Sequence, residues 1–154
     1  MRSSSRGTSI RGTSVRAPST TVRAAPPKHA GAFEADSGTG APLGFSWNTS
    51  DTLEGALAAL AKLLEPLGAG TLRKGSAGGA DISPMEPAGV PLFGLRQETG
   101  RYFDFHHTAD DTFDKIEGSS LDKAAAAMAA MAYAVADLPE IHARSIASPG
   151  PAAR

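Results

Sequence analysis

Leu53, Leu57, Leu60 and Leu64 recur at intervals of three and four residues, with Ala56, Ala61 and Leu67 widening the stripe. That period places them all on one side of an α-helix, whose apolar face must then be buried against another layer. Asp51-Thr-Leu-Glu54 reads as its start, with Asp51 as N-cap and Glu54 reaching back, and Glu65-Pro66 and Gly68 end it. A second amphipathic stretch runs from about Leu121 to Leu138, with Met128, Met131, Val135 and Leu138 on its stripe, Ser119 or Ser120 as its cap and Pro139 as its stop. Its many alanines permit close packing against a sheet. Both stripes read as packing faces without chemistry. The other apolar segments are short: His29–Ala35, Thr71–Lys74 and Val90–Leu95 read as strands, and Pro42–Trp47 as a loop or short strand.

The 154 residues suffice for one domain. They fall into three parts: 1–28, 29–141 and 142–154. Residues 1–28 hold six basic and no acidic side chains, and their Ser, Thr, Arg, Gly, Ala and Pro cannot build a core, so disorder is expected there. The tail from 142 is expected to be disordered as well. Beyond residue 28, nine basic residues face all sixteen acidic ones, which argues against nucleic acid as a partner and suits a cation. No cysteine is present, which excludes a disulfide framework and a thiol nucleophile. There is no apolar run of membrane-spanning length and no secretory h-region, so a membrane role is not expected and the compartment stays open.

The chemistry concentrates in Arg101-Tyr-Phe-Asp-Phe-His-His-Thr-Ala-Asp-Asp-Thr-Phe113, where two imidazoles and three carboxylates lie in one aromatic-flanked segment. Neutral imidazole is the commonest metal ligand, and a carboxylate nearby can fix its tautomer. Solvated polar loops have the same composition, so a metal and a plain surface loop both remain open. Asp36 stands where a strand meets Gly-rich Ser37–Gly40, the place at which open α/β sheets bind ligands. It could equally begin an Asx-type turn. The Gly75–Asp81 loop lacks the Gly-Lys-Ser/Thr ending of a phosphate loop, and its glycines are expected to let backbone approach something closely.

Glu34-Ala-Asp-Ser-Gly-Thr39, Pro42-Leu-Gly-Phe45, Gly79-Ala-Asp-Ile82, Ala88-Gly-Val-Pro91, Arg101 to Thr112 and Tyr133-Ala-Val-Ala-Asp137 occur in an order that resembles the M28 zinc metallopeptidases, in particular their carboxypeptidase Q-like dipeptidases. The resemblance runs from about His29 to Ile141. It implies the C-terminal portion of a mixed-sheet α/β exopeptidase domain with two zinc ions per complete site and a peptide or dipeptide as substrate. By that resemblance, Asp36 and His107 are metal ligands, and Asp111 and Asp81 stand behind them. His106 lies where some relatives carry a tyrosine that steadies the tetrahedral intermediate. A metal-bridged water would attack the peptide carbonyl with a carboxylate as base. Complete relatives are often secreted.

The family pattern also needs a histidine, a bridging aspartate and a Glu-Glu pair ahead of the Asp36 motif, and residues 1–28 contain no His, Asp or Glu. One donor per zinc is fewer than the three protein ligands usual at a catalytic zinc. The expectation is therefore a truncated, inactive portion of the enzyme, with residues 1–28 not authentic sequence, or else a non-catalytic peptide-binding remnant. A sheet lacking neighbouring strands would expose its edge and invite self-association.

Overall fold

The computed structural model describes residues 29–139 and 141. Its strands are β1 (Ala32–Glu34), β2 (Pro42–Asn48), β3 (Thr71–Lys74) and β4 (Leu92–Gln97). The helices are α1 (Glu54–Leu64), α2 (Tyr102–Phe105) and α3 (Gly118–Asp137). The strands form one mixed sheet in the order β1-β4-β2-β3. β1 runs parallel to β4, β2 antiparallel to β4, and β3 parallel to β2. This is the expected α/β architecture. The expected disorder of 1–28 and 142–154 lies outside the described residues.

Register sets the two faces. Trp47 pairs with Phe93 and Phe45 with Leu95, so four large apolar side chains share one face. Onto that face pack Leu53, Leu57 and Leu64 from the first leucine stripe, and Ala124, Ala127, Met131 and Val135 from α3. The small residues of α3 let it lie close, and both amphipathic stripes end in the same core. At roughly 25 cal/mol per Å² of buried apolar surface, this layer is the main stabilising element of the fold.

The opposite face carries Ser46 and Gly94, which pair with each other. A Cβ on Gly94 would stand 2.5 Å from the Gly78 nitrogen and 2.8 Å from Ser46 Oγ. The bare face lets the glycine loop lie directly on the sheet, and Ala32, Ala77, Ile82, Val90 and Leu92 form a second, smaller core beneath it. The expected close approach of that loop is therefore an approach to the sheet.

Three boundaries differ from expectation. Ser50, not Asp51, caps the first helical segment: its side chain accepts from the Thr52 amide, and a 3₁₀ turn (Asp51–Leu53) precedes α1. Asp51 instead pairs with Lys74 at the end of β3. Glu117, not a serine, caps α3, because its longer carboxylate accepts from both the Ser119 and Ser120 amides. β4 extends through Gln97, whose side-chain amide donates to the Gly40 carbonyl at 3.0 Å. Among the described residues, no helix is long and apolar enough to cross a membrane.

Candidate functional site

Because β1 and β4 are parallel neighbours, the segments that follow them leave the same edge of the sheet. This brings the Asp36 loop beside the His106–His107 segment although some seventy residues of chain separate them. Backbone bonds lock the two together: Glu98 N–H donates to the Ala41 carbonyl at 2.8 Å, beside the Gln97–Gly40 bond.

The contact continues through aromatic rings. A Cβ on Gly38 would lie 2.8 Å from Tyr102 Cδ2, so the tyrosine ring rests on the Asp36 loop. Tyr102 stacks on His106 at 4.5 Å between centroids, and His106 stacks on His107 at 3.8 Å. His107 has φ 59°, the only positive φ on a non-glycine residue among the described ones. Left-handed backbone costs an ordinary L-residue roughly 1–2 kcal/mol, which the surrounding turn must offset. Thr108 holds that turn, its hydroxyl donating to the Phe105 carbonyl at 2.7 Å and accepting from the Asp110 amide at 3.2 Å.

On the other side of Asp36, Glu34 Oε2 accepts from the Gly79 amide at 2.6 Å and the Ile82 amide at 3.3 Å. A Cβ on Gly79 would stand 2.5 Å from Glu34 Oε1 and 3.0 Å from Asp36 Oδ2. Both carboxylates thus crowd the one bare Cα that admits them. Asp81 lies exposed in the turn that follows and makes no side-chain hydrogen bond or ion pair among the described residues. Glu34 lies in the Glu34–Thr39 motif, and nothing in that motif alone marks it as the residue that holds the glycine loop. The two-residue strand period, which turns Glu34 and Asp36 to the same side, was the available signal.

A cleft of about 640 Å³ opens beside these loops, lined by Ser37 to Gly40 on one side and by Tyr102, Phe105, His106, Asp111 and Phe113 on the other. Asp36 and His107 are not among its lining residues; their chain neighbours Ser37 and His106 are. The structure therefore brings His106 and Asp111 to the cleft, Asp36 and His107 to loops that flank it, and leaves Asp81 apart. Among the described residues Asp111 forms no side-chain hydrogen bond to an imidazole, so the turn rests on Thr108 instead.

The zinc that the resemblance implies needs more donors than this. No group of three or more His, Asp or Glu side chains able to hold a metal ion occurs among the described residues. Asp36 and His107 are suitable donor types on separate loops. The donor set present does not by itself fit a catalytic zinc.

On the cleft wall, Glu117 has its carboxyl lowered to about 2 by hydrogen bonds from the side chains of Ser119 and Ser120 and from the Ser120 amide. Asp114 is likewise lowered to about 2, by Lys115 and then by Thr112.

No family model matches the chain. A solved structure, the peptidase M28 precursor from Shewanella amazonensis, superposes on it with a TM-score of 0.64 and 34% identity, over 70% of this chain and 25% of that one. With its mixed sheet and paired site loops, the chain matches a part of an M28 peptidase. It is carboxypeptidase Q-like: carboxypeptidase Q of Rattus norvegicus is 38% identical over 118 residues, 77% of this chain and 25% of the rat protein. Carboxypeptidase Q of Mus musculus is 37% identical over the same shares. The chain spans about a quarter of the length of the relatives it matches.

Proposed function

We propose that the described body is one side of a zinc-dependent exopeptidase site acting on dipeptides or peptide ends, and that it does not complete that site by itself. Asp36 and His107 would serve as metal donors, His106 as a hydrogen-bond donor to the reacting carbonyl oxygen, and Asp111 as a support behind them, while Asp81, exposed and apart, has no place in the site. The observation that carries the reading is the shared sheet edge, where parallel β1 and β4 deliver the Asp36 loop and the imidazole pair side by side. The missing part is a histidine, a bridging aspartate and a Glu-Glu pair, which would supply the remaining donors and the general base. Glu34, the nearest glutamate to Asp36 in sequence, has its carboxylate occupied by two backbone amides.

The test is hydrolysis of a panel of dipeptides by the full chain, with and without added zinc and with a chelator. The expected result is no turnover under any condition. Chelator-sensitive turnover would show a complete site and overturn the proposal. The cleft favours a second reading, a non-catalytic peptide binder, because its aromatic and charged wall does not depend on Asp36 or His107. Peptide binding that survives Asp36→Ala and His107→Ala would support it.

A further inference from the structure

The charged groups on the cleft wall are mostly engaged. The Glu117 carboxylate is taken up by the start of α3. Glu98 Oε1 accepts from the Gly100 amide at 3.0 Å, and Lys115 Nζ is held by Asp114 and Thr112. Arg101 differs. Its guanidinium lies over the Phe105 ring at 4.6 Å, and its one ion pair runs from Nε to Asp104 Oδ2 at 3.5 Å. An exposed pair at that length holds the side chain weakly.

Stacking engages the face of the guanidinium and leaves its edge free. The in-plane N–H groups form a fork matched to a carboxylate, and among the described residues the terminal nitrogens carry no hydrogen bond. Phe105, under the guanidinium, and Phe113, 84% exposed, line the same cleft. Asp111 lines the same cleft with its carboxylate uncommitted among the described residues. One free cation and one free anion on the same wall disfavour a simple anion and suit a small zwitterion. The cleft volume is in the range of small-molecule sites.

We infer that Arg101 is the carboxylate anchor of this cleft, which takes a short peptide with a free α-carboxylate and an apolar or aromatic C-terminal side chain laid against Phe105 and Phe113. The inference rests on the peptide-site reading above and adds to it the end of the peptide that is recognised and the residue that recognises it. It requires neither metal nor turnover, so binding and hydrolysis are read separately.

The experiment is calorimetric or NMR titration of the full chain with Ala-Phe, with its C-terminal amide and with inorganic phosphate, repeated on Arg101→Gln and Arg101→Lys. Arg101 is exposed, so neither variant should compromise folding, and circular dichroism verifies that. The wild type is expected to bind the free acid about tenfold or more tightly than the amide. Arg101→Gln should abolish that preference, and Arg101→Lys should keep part of it because charge remains without the fork. Equal affinity for acid and amide, a preference that survives Arg101→Gln, or no detectable binding of Ala-Phe overturns the inference. Phosphate binding as tight as the dipeptide also overturns it, by showing an unselective anion site. Chelator-sensitive hydrolysis would overturn the incomplete-site proposal and leave the acid-over-amide comparison to decide the role of Arg101.

Discussion

Gly79→Ala tests how tightly the glycine loop and the Asp36 loop are fitted. Gly79 is not at a positive φ, so an alanine there meets no backbone penalty and its effect is steric. The new Cβ would stand 2.5 Å from Glu34 Oε1 and 3.0 Å from Asp36 Oδ2, closer than such atoms sit. Either the carboxylates turn away or the loop lifts, and both break the 2.6 Å bond from the Gly79 amide to Glu34. A hydrogen bond to a charged group contributes about 1.5–3 kcal/mol, and Glu34 is only half-buried, so water recovers part of it. Lifting the loop also loosens Ala77 and Ile82 over the smaller core. The expected loss is about 2 kcal/mol, or a Tm fall of roughly 8 °C for a body of this size. Urea denaturation with matched thermal melts measures it, and Glu34→Gln, which keeps an acceptor without its charge, should cost about half as much. A Gly79→Ala loss below about 0.5 kcal/mol would refute the reasoning, because it would mean that the two carboxylates are not confined.

Gly55→Ala makes the opposite case. A Cβ there meets nothing within 4 Å on the exposed side of α1, so a gain of about 0.5–1 kcal/mol is expected, and any fall in Tm counts against the placement. The Glu117 cap predicts acid behaviour: with the folded-state pKa near 2 against the usual 4.5, its stabilisation is full above about pH 4.5 and is lost as pH falls through 2. Side-chain ¹³C titration checks this, and a Glu117 midpoint at the ordinary value would contradict the cap. β1 and β3 are the outer strands of the sheet, so concentration-dependent association is expected in sedimentation velocity. A monomer with a sharp cooperative melt would argue against it.

What was legible in the sequence followed from period and punctuation. The leucine stripe of α1 and the methionine stripe of α3 announced their buried faces because helical spacing leaves one apolar side. Pro139 marked the end of α3 through its missing donor. β2 was harder to read because Gly44, at φ 140°, and a register shift between Pro42 and Gly44 interrupt its alternation. The cap of α3 was misplaced because serine is the more frequent N-cap, whereas here a glutamate reaches two amides at once. The motif residues could be named from the sequence, but their neighbours could not. Tyr102 and Glu34 act across the sheet edge, and that proximity exists only once β1 and β4 pair.

His107 shows the same limit most sharply, because its left-handed backbone is invisible in a run of two histidines. The turn made by Phe105, Thr108 and Asp110 enforces that conformation, while a β-carbon at φ 59° opposes it. His107→Gly removes that opposition, a gain of about 1–2 kcal/mol, and gives up a comparable amount in unfolded-state entropy and ring stacking. The expected change in stability is therefore within about 1 kcal/mol of zero, although the substitution deletes a proposed metal donor. His106→Gly relieves no strain and loses two stacking contacts, with Tyr102 and with His107, so it should destabilise by about 1–2 kcal/mol. Paired urea titrations separate the two. If His107→Gly proves the more damaging, the left-handed backbone is not a strain held in place by its surroundings, and the histidine would be there for stability rather than for a site.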